Sequence, residues 1–257
     1  MGNHKGNVRI TRQLLFVSAT LFFAAFASPG FAVVSVNAPI TWGAPTTISG
    51  DSDVSTDGTL VAAFNMNGPA VTVNGVTFAS FTYPFMATTA TNGNFTFTES
   101  PGHMLAESNL GAANPPFNGL SANYQSLLST AVSTDDNNTL TLNINGLTIG
   151  QQYEFEFFVN GSNTAGTDNF RTIASATNSV TLDDNTTNAV GGVGQFVIGT
   201  FTASSSSEFI TFNGTDTTQA PTINAFELRA VPEPATMSIF IFGSALLGVS
   251  QALRRKS

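Results

Sequence analysis

The stretch YEFEFFV, residues 153–159, decides the fold. Tyr153, Phe155 and Phe157 alternate with two glutamates, and a period of two places successive side chains on opposite faces of a β-strand. The aromatic face is suited to a hydrophobic core. We interpret Glu154 and Glu156, on the opposite face, as solvent-exposed residues that keep the sheet soluble.

The same alternation recurs on both sides of this stretch. NFTFT carries Phe95 and Phe97 on one face, and EFITF carries Phe209 and Phe212 on one face if its strand contains a bulge. VTVNGVTF, residues 71–78, predicts a hairpin with a two-residue turn. Asn-Gly pairs, which favour tight turns, begin at positions 67, 74, 92, 118, 145, 160 and 213.

One segment has helical spacing instead. In SANYQSLLSTAV, residues 121–132, Ser121 is suited to cap a helix whose apolar positions are Tyr124, Leu127, Leu128 and Ala131. We expect this short helix to cover an open end of the sheets. The fold class that follows is all-β, an antiparallel and jelly-roll-like β-sandwich with one short helix.

The first 32 residues have the layout of a secretory signal peptide. Cations at positions 5, 9 and 12 precede an apolar run over 14–27, and Pro29 and Gly30 follow it. Cleavage after Ala32 fits the small-x-small rule, as does cleavage after Ala27. We expect Ala32, because the two helix breakers lie just upstream of it. A retained N-terminal anchor is the alternative.

The last 27 residues have an equally ordered layout. Residues 235–253 are 19 residues without a charge, which as a helix would extend ~28 Å, close to the ~30 Å hydrocarbon core of a bilayer. The flanking residues are Pro232, Glu233 and Pro234 before this transmembrane helix and Arg254, Arg255 and Lys256 after it. The basic tail is expected in the cytoplasm and the body outside. A buried terminal core helix is the alternative.

This order of Pro-Glu-Pro, span and basic tail resembles the PEP-CTERM sorting signal of Gram-negative bacteria. The resemblance implies that the tail is a processing handle, which an exosortase cuts near Pro232, Glu233 and Pro234. It implies signal peptidase and exosortase as partners during export, and a transient inner-membrane anchor. It also implies a final location in the cell envelope, at the cell surface or in the extracellular matrix. A plain single-span anchor is the alternative.

Three domains follow from these boundaries: a signal peptide (1–32), a β-sandwich (33–230) and a sorting signal (231–257). The strand-rich stretches 139–161, 194–214 and 223–229 resemble the jelly-roll bodies common in PEP-CTERM proteins. Those bodies are similar in outline to carbohydrate-binding modules. This second resemblance rests on strands and turns and identifies no binding residue.

Charge limits the partners of the body. Arg171 and Arg229 are its only cations against 15 acidic residues, a net charge of −13. Nucleic acid is excluded as an expected partner, because affinity for phosphate backbones depends on Lys and Arg. The chain contains no cysteine, so its stability depends on core packing and strand pairing without disulfides.

The sequence offers few residues for catalysis. His103 is the only histidine of the body, and Glu99 and Glu107 lie near it in sequence. A nucleophilic site needs a base oriented by a carboxylate and directed at a hydroxyl or thiol, whereas the flanking Pro101 and Gly102 indicate a loop. We therefore expect no catalytic residue and no enzymatic activity.

Two other groups are candidates for ligand binding. Asp51, Asp53 and Asp57 in DSDVSTDG are hard oxygen ligands of the kind calcium accepts, although an acidic surface turn is the alternative; no other cofactor is indicated. Trp42, the single tryptophan, is either an exposed platform for a sugar ring or a plug under the first strand. We interpret it as a plug.

Two functions from different classes remain. The first is an exported, exosortase-processed surface or matrix protein with a non-catalytic structural or adhesive β-sandwich. The second is a carbohydrate-binding module for exopolysaccharide or another glycan, with calcium as a conceivable aid. An exposed aromatic pair or a calcium-supported concave face would favour the second, and a surface of Thr, Ser and Asn the first. Five Asn-x-Ser/Thr sites, at 94, 137, 160, 185 and 213, hint at glycosylation.

Overall fold

The computed structural model describes residues 38–135, 137–163, 171–215 and 218–232, which belong to one compact unit. The strands in this part of the chain are β1 (Thr41–Trp42), β2 (Thr46–Thr47), β3 (Thr59–Met66), β4 (Val71–Val73), β5 (Val76–Phe81), β6 (Thr89–Asn92), β7 (Phe95–Ser100), β8 (Leu105–Ser108), β9 (Thr130–Ser133), β10 (Thr139–Asn145), β11 (Gln152–Val159), β12 (Arg171–Ser175), β13 (Ser179–Asp183), β14 (Gln195–Thr202), β15 (Ser207–Gly214), β16 (Thr222–Ile223) and β17 (Ala225–Val231). The helix α1 spans Ala122–Leu128, and 3-10 turns occupy Asp51–Asp53 and Phe117–Gly119.

Two large sheets form a β-sandwich. The first has the order β1-β14-β11-β17-β3-β5-β4, with β2 beside β14, and the second has the order β13-β12-β15-β10-β7-β6. Aromatic rings from both sheets meet between them: Phe157 contacts Phe212 with ring centroids 5.4 Å apart, and Phe97 contacts Phe226 at 5.8 Å. The predicted fold class is confirmed. One pair departs from the antiparallel rule, because β3 and β5 run parallel.

The centre of the first sheet is the pair β11 and β17. Their register runs from Gln152 opposite Val231 to Phe158 opposite Ala225, and β14 and β3 pair with their outer edges. Phe155, Phe157 and Phe226 point into the core between the sheets, where each is fully buried. The stretch that predicted a strand thus forms the middle of the larger sheet.

The other face of this sheet is also covered, and here the sequence interpretation was wrong. A second apolar cluster joins Tyr124, Leu127 and Leu128 of α1 to Phe78 and Phe158 of the sheet. The segment that contains Ile48 and Val54 extends this cover.

Glu154 and Glu156 lie under that cover and not in solvent. Their exposed fractions are 8% and 0%. The period-two pattern gave the correct face for each glutamate, but a covering segment about 100 residues away in sequence buries that face. Burial of a carboxylate carries a large desolvation cost.

Local signals in the sequence were otherwise informative. The hairpin at 71–78 forms from β4 and β5, with Asn74 and Gly75 both at positive φ as a two-residue turn requires. Phe95 and Phe97 are buried on β7 as predicted. In β15, however, Phe209 is 46% exposed.

The exposure of Phe209 follows from the regular alternation of inward and outward side chains along β15. Ile210 and Phe212 point inward, together with Glu208, and the pairing of β15 with β10 runs without a register shift from Ser207 to Phe212. No bulge exists to bring Phe209 inward. Glu208 is tolerated there because its Oε2 accepts a hydrogen bond from the Ala38 amide at 2.8 Å.

The predicted helix is present but shorter than its apolar spacing indicates. Ser121 caps it, because its Oγ accepts a hydrogen bond from the Tyr124 amide at 3.1 Å. The helix ends at Leu128, and Ala131 lies in β9. The Leu128 carbonyl accepts hydrogen bonds from the side-chain amides of Asn160 and Asn224, which supply donors where the helix stops.

Asn224 links the end of α1 and the start of β9 to the residue that follows β11. This fully buried residue donates from Nδ2 to the carbonyls of Leu128, Thr130 and Asn160, and its Oδ1 accepts from the Asn160 amide at 2.6 Å. All four partners are backbone groups, and they come from two segments, residues 128–130 and residue 160. Asn224 is therefore a hydrogen-bonding hub that no apolar residue of similar volume can replace.

The terminal segments lie outside the described residues. They include the predicted signal peptide with Ala32, the predicted span over 235–253 and the basic residues Arg254, Arg255 and Lys256. Among the described residues, no helix is long and apolar enough to cross a bilayer.

We predict that the body over residues 33–230 folds by itself as a mainly β domain. Its two sheets share one core and no disulfide contributes. Far-ultraviolet circular dichroism of this fragment should be dominated by strand. A spectrum dominated by helix would reject the prediction.

Replacing Asn224 with alanine should lower the free energy of unfolding by roughly 2–5 kcal/mol, because buried carbonyls lose their donor. Asn143→Ala is the matched control: Asn143 lies on β10 with its side chain exposed, and a change there should stay within about 0.5 kcal/mol. Urea denaturation of both variants measures the difference. Equal effects would show that the Asn224 network contributes little.

Candidate functional site

The C-terminal boundary of the sandwich is the first functional feature. β17 ends at Val231, whose residue position pairs with Gln152, and the Val231 carbonyl accepts a hydrogen bond from Gln151 Nε2 at 2.7 Å. Pro232 follows and is exposed. The first residue of the predicted processing motif thus leaves the sheet directly from a central strand, while Glu233 and Pro234 lie outside the described residues.

A cleft of about 300 Å³ with a mixed polar and apolar lining is the second feature. It opens where β8, β9 and β16, which form a three-stranded sheet, meet the loops after β11 and β13. The polar side chains along its wall include Glu107, Ser133, Thr222, Asn160, Asn163 and Asp184. Leu105, Leu110 and Ala220 add apolar surface.

The wall of the cleft is held by internal hydrogen bonds. Ser133 Oγ donates to Glu107 Oε1 at 3.0 Å. Asn160 is fully buried, and its Oδ1 accepts from Ser162 Oγ and from the Gly194 amide. Carboxylates, amides and hydroxyls at this site are suited to the hydroxyl groups of a neutral or cationic ligand, whereas the acidic groups disfavour an anion.

The outer face of the second sheet is the third feature. Paired positions form rows of mostly small polar side chains across the strands: Thr89, Thr98, Thr141 and Thr211 in one row, and Thr91, Thr96, Asn143 and Phe209 in the next. Thr91 and Thr96 share a hydrogen bond at 3.1 Å between their hydroxyls. Phe209 is the aromatic residue of these rows. We call this surface the threonine face.

The buried carboxylates form a fourth feature, on the covered face of the first sheet. Glu156 on β11 lies directly opposite Glu227 on β17, and Glu154 lies opposite Arg229. Glu156 and Glu227 are both fully buried. Arg229 Nη1 donates to Glu227 Oε2 at 3.0 Å. One cation therefore faces three carboxyl groups.

Burial raises the pKa of both central carboxyl groups. Loss of hydration raises the pKa of Glu156 well above its ordinary value, and the negative charge of Glu227 adds to this effect. The pKa of Glu227 is also raised by burial, but Glu156 and Arg229 oppose the increase. The geometry favours Glu156 as the proton-bearing member of the pair, because the guanidinium of Arg229 contacts Glu227.

Asp51 and Asp53, two of the three predicted calcium ligands, accept hydrogen bonds from other groups of the chain. Both carboxylate oxygens of Asp53 accept hydrogen bonds within its own turn, from the Ser49 amide and hydroxyl and from the Gly50 amide. Asp51 Oδ1 accepts from Ser121 Oγ at 2.7 Å. Within the described ranges no group of three His, Cys, Asp or Glu side chains could hold a metal ion, and the calcium site stays a prediction.

Trp42 packs against the sandwich. Its ring meets Phe157 edge to face with centroids 5.9 Å apart, and it lies over the backbone of Gly199. Its Nε1 donates to the Asn178 carbonyl at 3.2 Å. The side chain remains partly exposed, so the plug interpretation agrees with its packing, and the sugar-platform role stays a prediction.

The remaining candidates receive little support. Glu107 is hydrogen-bonded to Ser133, and Glu99 Oε1 accepts from Asn138 Nδ2 at 3.0 Å, so both glutamates near His103 have other partners. Of the five glycosylation sequences, those at Asn160 and Asn185 are buried, with exposed fractions of 0% and 2%. These two asparagines are structural.

Comparison with known proteins identifies the C-terminal segment. Residues 230–256 match the family model described as the PEP-CTERM protein-sorting motif. A search of curated proteins by sequence gave no match.

Solved structures match parts of this chain at low identity. A β-glucuronidase 2 from Bacteroides uniformis matches with 13% identity and a TM-score of 0.43 over 66% of this chain and 18% of that one. The plant receptor-like kinase FER matches with 13% identity and a TM-score of 0.40, over 66% and 48%. A CBM35 from Cellvibrio japonicus matches with 12% identity and a TM-score of 0.27, over 50% and 94%. The chain spans under a fifth of the β-glucuronidase.

The match to the sorting motif begins at Ala230, inside β17, and so follows the sandwich without a linker. The chain carries a PEP-CTERM sorting motif after a β-sandwich, which makes it an exported protein of the Gram-negative type that is targeted to an exosortase.

Proposed function

We propose that this chain is a surface or matrix protein whose β-sandwich has a non-catalytic, structural or adhesive role after exosortase processing. The observation that carries the proposal is the sorting motif, whose match begins at Ala230 within β17 and continues past the end of that strand. The proposed domains are a signal peptide (1–32), the sandwich (33–230) and the sorting signal (231–257), although β17 extends one residue beyond the second boundary.

The position of the motif suits release of an intact body. Cleavage between Pro232 and Pro234 would leave every residue of β17 in place, so that the central pair of β11 and β17 loses no partner. The exposure of Pro232 supports access by a protease. The two prolines also disfavour a helix in this segment and keep it extended.

The surface of the sandwich supports an adhesive or structural role. The threonine face presents hydroxyl and amide groups in rows, and the body carries a net charge of −13. Such a surface interacts with hydrated polymers and cations and repels polyanions. Phe209 and Trp42 lie in different sheets, so they do not make the exposed aromatic pair expected of a sugar platform.

The second candidate function is carbohydrate binding. The cleft beside β8, β9 and β16 favours it, because Glu107, Asn163 and Asp184 combine hydrogen-bonding groups with a volume of about 300 Å³, the lower end for a small-molecule site. On the threonine face, Phe209 offers an exposed ring beside Asn143. Calcium would contribute only through Asp51, Asp53 and Asp57.

Processing predicts a defined C-terminus. Mass spectrometry of the surface or secreted protein should find the chain ending near Pro232, Glu233 or Pro234, with residues 235–257 removed. Changing these three residues to alanine should leave full-length protein in the membrane, since withdrawing 19 uncharged residues from lipid is strongly unfavourable. Protein at the cell surface that retains Arg254, Arg255 and Lys256, in a strain with an exosortase, would contradict processing.

Carbohydrate binding predicts a response to one aromatic residue. In a glycan array with the body over residues 33–230, Phe209→Ala should weaken a signal from the threonine face about tenfold, because stacking and burial of the ring are lost. Phe85→Ala, a change of an exposed loop residue, is the control. A signal that disappears with Asn163→Ala alone would assign binding to the cleft, and no signal with or without millimolar calcium would reject the second function.

A further inference from the structure

The buried carboxyl groups lie beneath one identifiable segment of the chain. Residues 49–58, the covering segment, connect β2 to β3 and pass over the face that carries Glu156 and Arg229. The Ser55 amide donates to Glu156 Oε2 at 3.0 Å, and Arg229 Nε donates to the Asp57 carbonyl. Val54, 1% exposed, packs into the apolar cluster beside them.

The covering segment does not supply a hydrogen bond to every buried carboxyl oxygen beneath it. Among the described residues, no N–H or O–H donor reaches Oε1 of Glu154, Glu156 or Glu227. Three buried carboxylates beside one guanidinium would leave excess negative charge away from water, which is strongly unfavourable. A proton on Glu156, which lies directly opposite Glu227 in the strand pairing, removes one of these charges.

Other charged groups around Glu156 strengthen this requirement. Acidic and phenolic groups lie near it: Glu154 from β11, Glu227 from β17 and Tyr124 from α1. In the covering segment, Asp53 accepts a hydrogen bond from the Tyr124 hydroxyl and Asp51 accepts one from Ser121 Oγ. Arg229, which is bonded to Glu227, is the cation beside this group. The residues that flank the carboxyl groups from β14 and β3 are Ile198, Thr200, Ala63 and Leu60. They supply no charge.

We propose that residues 49–58 form a proton-dependent cover: a proton held on Glu156 keeps the segment closed over the carboxyl groups, and release of that proton to alkaline solvent opens it. Opening admits water to the newly ionised carboxylate. It also exposes an acidic face formed by Glu154, Glu156 and Glu227, which is suited to cations.

The direction of the pH effect follows from linkage. The pKa of Glu156 in the folded chain lies above the value of about 4.3 for an unfolded glutamate. The folded chain therefore retains a proton that the unfolded chain has released, and the closed state loses stability as pH rises through the folded-state pKa. Each unit by which the pKa is raised corresponds to a tenfold change in the closed-to-open equilibrium.

Thiol accessibility in the full-length chain tests the proposal. The chain lacks cysteine, so Val54→Cys places a single thiol in the buried part of the cover, and Thr56→Cys places one in its exposed part. The ratio of their labelling rates at each pH corrects for the pH dependence of thiol chemistry. We expect this ratio to rise at least about tenfold between pH 6 and pH 9.

A variant of Glu156 tests whether its proton causes the rise in the labelling ratio. Glu156→Gln replaces the protonated carboxyl with an amide that can donate to Glu227 and accept from Ser55, so the ratio should change less than twofold over the same range. Glu99→Gln, a change at another buried carboxyl group on the second sheet, is the control and should retain the full rise.

A rise that persists in Glu156→Gln, or no rise in the parent, would overturn the proposal. Hydrogen exchange of residues 49–58 in the unsubstituted chain, corrected for intrinsic rates, is the second measurement if Val54→Cys disturbs packing. It should show protection at pH 6 that is lost at pH 9, and unchanged protection would overturn the proposal as well.

Discussion

The pairing of β11 with β17 is the interaction on which the rest of the structure depends. It joins two strands about 70 residues apart at the centre of an eight-stranded sheet. Because the pair is central, both of its faces must be covered: the core between the sheets covers one, and α1 with residues 49–58 covers the other. The burial of Glu156, the site of its proton and the exposed exit at Pro232 all follow from this position.

The sequence predicted local structure well because the signals for it are local. The turn at Asn74 and Gly75, the cap at Ser121 and the inward Phe97 each depend on residues within one turn or strand. Alternation also assigned Glu156 to the correct face of its strand. It could not predict what lies over that face, because the covering residues come from a segment about 100 positions earlier. The predicted burial of Phe209 was wrong for a related reason. Glu208 takes the inward position in β15, where its carboxylate accepts a hydrogen bond from the distant Ala38 amide.

The functional features also divide into one that local sequence predicts and one that depends on distant segments. The sorting motif is a continuous stretch whose order of residues carries its meaning, so sequence alone predicted it and the family match identified it. The cleft draws Glu107, Asn160, Asp184 and Thr222 from four separate segments. No spacing in the sequence relates these residues. The fold brings them together where the three-stranded sheet lies beside the loops after β11 and β13.

The central claim, a carboxyl group kept protonated by the covered face of the sheet, can be measured directly. Carbon-13 NMR titration of the glutamate carboxyl resonances should contain one that titrates well above the ordinary value of about 4.3. That resonance should be absent from Glu156→Gln. If every glutamate of the folded chain titrates near the ordinary value, the covered face is hydrated and the account is wrong.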